Sequence, residues 1–160
     1  MTAGIGSAAT RKVMERLAGP SGGGQTVAAL TDGDSEGPAM KAQNAAAELV
    51  ERSTTVKYPL VSVYCEKIIN DFREKFRSFS GAVEMAIEVR HSQDRLEGME
   101  EALEAQTDAV TKVLSSSRGD WGDGMFYGGA YQVSFGRMAR GGRNFIQAAK
   151  VTFEIGVSRS

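Results

Sequence analysis

The sequence predicts an α+β domain in which helices cover one face of a mainly antiparallel β-sheet. Three observations support this fold class. Several segments alternate apolar and polar residues with the period of two that strands require, and two others place apolar residues at helical spacing. The last two alternating segments are separated only by the turn-like stretch MARGGRN, which permits an antiparallel hairpin. Helices and strands therefore follow one another as helix, strand, strand, helix, strand, strand.

Length and composition limit the class of protein. A chain of 160 residues fits one domain with an additional arm. A formal net charge of −1 disfavours general DNA binding, because no excess of base is present to attract phosphate. A single cysteine, Cys65, excludes an internal disulfide, and no apolar run of about 18 residues is present. We expect no export and no membrane span, and a reducing interior such as a bacterial cytoplasm suits the single thiol.

The first predicted helix covers residues 7–18. Val13, Met14 and Leu17 share one side at helical spacing, and a Gly-Pro pair follows as a stop signal. This segment is therefore expected to be short and amphipathic.

The next segments predict an N-terminal arm. Residues 19–38 are rich in Gly, Asp and Ser, which is typical of a linker, and residues 39–52 contain good helix formers with only a faint apolar side. We therefore divide the chain into a helical and flexible arm, residues 1–58, and a single α+β domain, residues 59–160.

The domain is predicted to begin with a strand and a short helix. After Pro59 the run LVSVYCE is β-branched and apolar, which favours a strand. In the following stretch KIINDFREKFRSF, Ile69, Phe72 and Phe76 recur at helical spacing. We expect one or two helical turns there.

The clearest strand follows residue 81. Apolar and polar side chains alternate without interruption, so that one face of the strand is buried and the other is wet. The apolar positions are Val83, Met85, Ile87 and Val89, and the polar positions are Glu84, Glu88 and Arg90.

The second helix carries the strongest start signal. Asp94 is predicted as its N-cap, with Glu97 placed to complete a capping box. An apolar side must then cover the sheet. Its members are Leu96, Met99, Leu103, Val110, Val113 and Leu114, and the helix is expected to end between residues 115 and 119.

Two alternating strands are predicted to close the domain as an antiparallel hairpin. Apolar residues take every second position in both. They are Tyr131, Val133 and Phe135 in the first strand, and Val151, Phe153, Ile155 and Val157 in the second.

No catalytic constellation is visible, so the sequence predicts no catalytic residue, no metal and no cofactor. His91 is the only histidine and Cys65 the only thiol, and neither has a flanking signature. Asp120 and Asp123 are weak candidates for a cation site, because the sequence around them lacks the further oxygen ligands of a calcium loop. An enzyme or ligand-binding subunit that uses Asp120, Asp123 and His91 at a subunit interface remains an alternative.

Two groups of residues are candidate interface residues. Trp121, Phe126 and Tyr127 lie in the Gly-rich stretch RGDWGDGMFYGG, where they pack either on their own chain or against a partner. Arginines cluster around the last turn and either stay solvated, meet an acidic patch on an adjacent subunit or contact phosphate. They are Arg137, Arg140 and Arg143.

An acidic stripe marks the second helix. Its members are Glu97, Glu101, Glu104 and Asp108. Like charges four residues apart cost the isolated helix about 0.2–0.5 kcal/mol per pair. The stripe is either a solvated face or an acidic wall that repels DNA phosphates inside a channel.

Much of the domain resembles the tail-terminator proteins of long-tailed bacteriophages. The resemblance covers residues 59–159 and is carried by SQDRLEGMEEAL, SRGDWGDGMFYGG and GGRNFIQAAKVTFEIGVSR. It implies a tail-terminator-like fold and a non-enzymatic structural protein of the virion. In that family a hexameric ring caps the tail tube, stops its polymerisation and joins the head-side neck, leaving a channel through which DNA passes without specific binding.

The resemblance also implies partners. They are further copies of the chain, the tail tube protein, a head-side neck or stopper protein and, in a contractile tail, the sheath protein. The arm of residues 1–58 departs from the smallest family members. Another neck protein, such as a head-completion stopper, remains an alternative to a terminator.

Overall fold

The computed structural model describes residues 4–18, 42–43 and 60–160. These residues contain two helices and seven strands. In chain order they are α1 (Ile5–Ala18), β1 (Ala42–Gln43), β2 (Leu60–Asn70), β3 (Phe79–Gln93), α2 (Met99–Ser116), β4 (Gly119–Gly122), β5 (Met125–Phe135), β6 (Ala139–Gly141) and β7 (Asn144–Arg159). The α+β class with a mainly antiparallel sheet is confirmed.

The sheet has the strand order β1-β2-β3-β7-β5-β4, and β6 extends it by pairing with β7. Among the described strands, only β1 and β2 pair in parallel. β3 and β7 form its centre and pair in register from Phe79 opposite Arg159 to Gln93 opposite Phe145. The predicted hairpin of β5 with β7 is confirmed, because Val133 lies opposite Val151.

The core lies on one face of this sheet, beneath both helices, and we call it the helix-covered face. The four apolar residues predicted on β3 are all fully buried, which confirms that prediction. From α1 the core receives Ala8, Ala9, Val13 and Leu17, and from α2 it receives Leu103, Ala109, Val110, Val113 and Leu114. We call the opposite face, which carries Glu84, Glu88 and Arg90, the polar face.

α1 confirms the first predicted helix but belongs to the core. It packs against β2 and β3, although the sequence placed it in the arm. The proposed division at residue 58 stays a prediction. The predicted linker, residues 19–38, lies outside the described residues. So does most of the predicted helix at residues 39–52, and its described part, β1, is a strand instead of a helix.

The helix predicted from Ile69, Phe72 and Phe76 is wrong. β2 continues to Asn70 and the chain then turns into β3. The Asn70 side chain holds this turn, since its Oδ1 accepts a hydrogen bond from the Ser80 amide at 3.1 Å. Such side-chain hydrogen bonds compete with helix formation, and the β-branched residues before the turn favour a strand.

The predicted start of the second helix is also wrong. α2 begins at Met99, and its N-cap is Gly98 in a left-handed conformation rather than Asp94. The Gln93 side chain donates hydrogen bonds to the Arg95 and Glu97 carbonyl oxygens, at 2.6 and 2.8 Å, which holds the intervening turn. Residues 94–98 therefore precede the helix.

The apolar side of α2 is confirmed except at its first member. Met99, Leu103, Val110, Val113 and Leu114 are buried, as predicted. Leu96 lies in the turn ahead of the helix and is 58% exposed. It does not contribute to the covering of the sheet.

Candidate interface

Trp121 and Tyr127 lie in the core of their own chain. Their ring centroids are 5.6 Å apart, and Tyr127 is 5.4 Å from Phe153 in an edge-on contact. The Trp121 indole donates a hydrogen bond of 2.7 Å to the Ser117 carbonyl oxygen, and burial raises the pKa of Tyr127 to about 12. Both rings therefore support the packing of this chain on itself.

Phe126 points away from that cluster. Alternation along β5 places it on the polar face, where it is 56% exposed. Of the three aromatic candidates it alone is available to a partner.

The aspartates of the Gly-rich stretch shape and hold a turn. Asp123 and Gly124 have φ values of 54° and 76°, the left-handed conformations that a two-residue hairpin between β4 and β5 requires. The Lys12 ammonium from α1 contacts the Asp123 carboxylate at 3.1 Å and donates to the Trp121 carbonyl oxygen at 2.9 Å. The hydrogen bond that Lys12 donates to the Asp123 carboxylate, together with the Lys12 charge, lowers the pKa of Asp123.

The described residues contain no cluster of three or more potential metal ligands. Asp120 uses its Oδ1 to accept a hydrogen bond from the Gly122 amide at 2.8 Å, a local turn contact. His91 is level with Gln147 on β7, whereas Gly124 contacts Ser158. Eleven positions along a strand span about 36 Å, so His91 and the two aspartates cannot form one site within a chain.

The thiol and the imidazole have local structural partners. The His91 ring nitrogens each lie 3.0 Å from a glutamine side chain, Gln93 at Nε2 and Gln106 at Nδ1. Burial raises the pKa of Cys65, which disfavours the reactive thiolate. A Cys65–His91 pair is not formed, since Cys65 is level with Met85, six positions along β3 from His91.

The acidic stripe and the arginines are exposed. Glu101, Glu104 and Asp108 lie on the outer side of α2, and Glu97 lies in the turn before it. None of these carboxylates forms an ion pair with another described residue.

The arginine cluster surrounds β6. Arg137 precedes this strand, Arg140 lies within it and Arg143 follows it, and all three are exposed. The Arg140 guanidinium lies 5.8 Å from the centre of the Phe145 ring. This basic tip is therefore accessible to solvent or to a partner.

Exposed apolar side chains that the sequence analysis did not identify as interface residues lie near the two ends of the sheet. At the β2 end they are Ile68, Phe72 and Phe76, and on β5 they are Tyr131 and Phe135 together with the already predicted Phe126. Among the described residues, only Leu96 is a further large apolar residue in this group. The sequence did contain an indication of the exposed surface on β5, because residues 125–136, MFYGGAYQVSFG, carry no charge.

The polar face carries a shallow groove of about 660 Å³ beside Phe126. Its lining includes Glu66, Glu84 and Glu154. Lys150 forms an ion pair with Glu66, which raises the pKa of Lys150, and Arg73 lies 3.7 Å from Glu154. Two of the three carboxylates are therefore partly neutralised within the chain.

Comparison with protein-family models finds no match to the chain, and comparison with curated proteins finds no significant one. Among the described residues, neither helix has the length and apolar character needed to cross a membrane.

Proposed function

We propose that this chain is a structural protein of a bacteriophage virion, a tail terminator that assembles into a ring on the tail tube. The ring stops tube polymerisation and joins the tail to the head-side neck, leaving a channel for DNA. Its partners are other copies of the chain, the tube protein, the neck protein and, in a contractile tail, the sheath. No catalytic step is part of this function.

The observation that carries the proposal is the placement of exposed aromatic residues near two opposite ends of one sheet. Phe76 is fully exposed at the β2 end, and Phe135 is 51% exposed on β5. Exposed apolar groups that cluster on a surface indicate contact with other proteins. Two separate surfaces of this kind suit a head-to-tail assembly, which forms a ring when the rotation between neighbours closes. The resemblance of residues 59–159 to tail terminators gives this assembly its biological role.

The exposed carboxylates of α2 suit a channel that DNA passes through without binding tightly. Glu101, Glu104 and Asp108 are exposed, and in a ring with α2 turned inward they repel phosphate. Replacing all three by Lys is expected to leave assembly intact and to slow DNA ejection. Normal infectivity of a phage carrying the triple replacement would remove this role of the stripe.

The decisive experiment measures assembly. Light scattering of the full chain at two concentrations, with negative-stain images of the same samples, is expected to show a closed ring. Purified tail tubes are then added, and the ring is expected to bind one tube end. A chain that remains monomeric and ignores tubes contradicts the proposal, and binding to the portal-side adaptor instead of the tube identifies a stopper.

A further inference from the structure

We propose that the outer edge of β5 in one copy of the chain pairs, in antiparallel orientation, with the outer edge of β2 in a second copy. The proposal rests on the proposed function in one respect, because the partner is another subunit of the ring. It names the two surfaces that form each contact.

Both edges are largely unpaired within the described residues. β4 pairs with β5 only at Met125, Phe126 and Tyr127, which leaves residues 128–135 without a described strand on their outer side. β1 pairs with β2 only at Val61 and Ser62, which leaves residues 63–70 in the same condition. Each edge is thus about eight residues long, and every second residue directs its N–H and C=O outward, where they can bind another strand.

The β5 edge lacks the features that normally prevent strand pairing. Soluble proteins protect sheet edges with charged residues, especially Lys, or with Pro, and residues 125–136 contain neither. On the helix-covered face of this edge, Tyr131 is 40% and Phe135 51% exposed, and Val133 between them is half-buried. This apolar strip is suited to the side chains of an added strand.

The β2 edge and its turn present matching apolar groups. Ile68 lies opposite Val83, so its side chain is on the helix-covered face, and it is 50% exposed. In the turn that follows, Phe72 and Phe76 have φ values of 51° and 65° and are exposed. Aromatic residues rarely adopt this backbone conformation, and such strain is often kept at functional sites.

Strand direction and face both permit the pairing. β3 is antiparallel to β2 and β7 is antiparallel to β3, so β5, antiparallel to β7, runs opposite to β2. Rotation about an axis roughly parallel to the strands preserves these directions and keeps the helix-covered faces on one side. Within one chain Ile68 is level with Tyr127. A ring axis inclined to the strands shifts neighbouring edges along each other, and the pairing requires the shift that sets Ile68 of one copy opposite Val133 of the next. Ile68 then lies diagonally beside Tyr131 and Phe135, an apolar cross-strand contact.

The two edges cannot satisfy each other within one chain, because β3 and β7 separate β2 from β5 in the sheet. The two edges differ from each other, so each copy contributes its β5 edge to one contact and its β2 edge to another. The contact is therefore head-to-tail and continues from copy to copy until the ring closes.

The test uses the full chain and two blocked variants. In one, Tyr131→Lys and Phe135→Lys block the β5 edge, and in the other, Ile68→Lys and Phe76→Lys block the β2 edge. Leu96→Lys is the matched control, since Leu96 is an exposed apolar residue on neither edge. Sedimentation velocity is expected to show that each blocked variant associates at least about tenfold more weakly than the wild type, whereas the control assembles normally.

Mixing the two blocked variants in equal amounts tests the pairing directly. One intact β2 edge and one intact β5 edge remain, so the mixture is expected to form a heterodimer that cannot grow. Circular dichroism confirms that each variant is folded. If the β5 variant is unfolded, Gln132→Lys with Ser134→Lys blocks the same edge from the polar face.

The outcomes separate this inference from the proposed ring. A wild-type ring that is unaffected by both blocks, or blocked variants that dimerise alone but not with each other, overturns the edge pairing and leaves the ring. Wild-type chains that form only open-ended polymers sensitive to both blocks support the pairing and contradict the ring. A wild type that is monomeric at every concentration tested and does not bind purified tail tubes contradicts both.

Discussion

The two halves of β5 have the same residue pattern but different surroundings. In the first half, Met125 and Tyr127 are fully buried, whereas in the second half Tyr131 and Phe135 are exposed on the same face. Between the halves, four residues of β5 span the length of two residues of β7, so the alternation continues unchanged. Trp121 covers the first half, and no described element covers the second in the same way. Alternation thus determines which face a side chain occupies, and tertiary packing determines whether that face is covered.

Removing the cover of the first half is expected to have the largest effect on stability. Trp121→Ala deletes a buried ring that contacts Tyr127 and donates to the Ser117 carbonyl oxygen, so the free energy of unfolding should fall by about 3–5 kcal/mol. Urea unfolding followed by far-ultraviolet circular dichroism measures this change. Phe135→Ala in the second half is the matched control, and its effect under conditions that keep the chain monomeric should stay within about 0.5 kcal/mol.

If Trp121→Ala and Phe135→Ala lowered the free energy of unfolding equally, the difference between the two halves of β5 would be contradicted. That result would show that the second half of β5 is as well packed in the isolated chain as the first half. The proposed pairing with a second copy would then lose its apolar surface.

Alkaline pH is expected to probe the same buried half through Tyr127. Burial raises the pKa of this phenol to about 12, against 10.0 for an ordinary tyrosine. The folded chain therefore keeps a proton that the unfolded chain releases above pH 10, and the stability that this provides is present below pH 10 and lost as the pH rises toward 12. Relative to that of Tyr127→Phe, the free energy of unfolding of the wild type should fall by about 1.4 kcal/mol between pH 8 and pH 11.

Urea unfolding of both proteins at these two pH values measures the difference. The two proteins differ only at residue 127, so the contributions of all other groups cancel in the comparison. A constant difference across this range would mean that water reaches the Tyr127 hydroxyl.

Sequence patterns were informative where one local period decides the structure. The alternation of β3 and the helical period of α2 placed their predicted apolar residues in the core, except Leu96, because each pattern has a single regular solution. Residues 71–78 were missed because Ile69, Phe72 and Phe76 fit a helical period, whereas the contacts that form the turn come from Asn70 and Ser80.

The candidate interface was even harder to predict from local sequence patterns. Whether Trp121 packs on its own chain or on a partner depends on where the end of α2 and strand β5 place Ser117 and Tyr127. No local sequence pattern contains that information. The exposed edge of β5 was recognisable only as an unusually long stretch without charge. Its lack of a described neighbour became evident from the strand order of the sheet.

The smallest expected effect concerns the contact that fixes the covered half of β5 to α1. Lys12→Met keeps most of the aliphatic stem but removes the hydrogen bond to the Trp121 carbonyl oxygen, which should cost about 1 kcal/mol at neutral pH. It also removes the partner that lowers the pKa of Asp123. When the pKa of a carboxyl is lower in the folded chain than in the unfolded chain, the carboxyl stabilises the fold above its ordinary pKa, near 4. This stability is lost as the pH falls through the lower pKa of the folded chain.

The gap in stability between the wild type and Lys12→Met should therefore narrow as the pH falls below 4, without closing, because the bond to the Trp121 carbonyl does not titrate there. Urea unfolding at pH 7 and pH 3 provides the measurement, and Asp123→Asn, which removes only the titrating group, is the control. A gap that is equal at both pH values would show that the Lys12–Asp123 contact adds nothing, and that the carbonyl bond alone joins α1 to the β4–β5 turn.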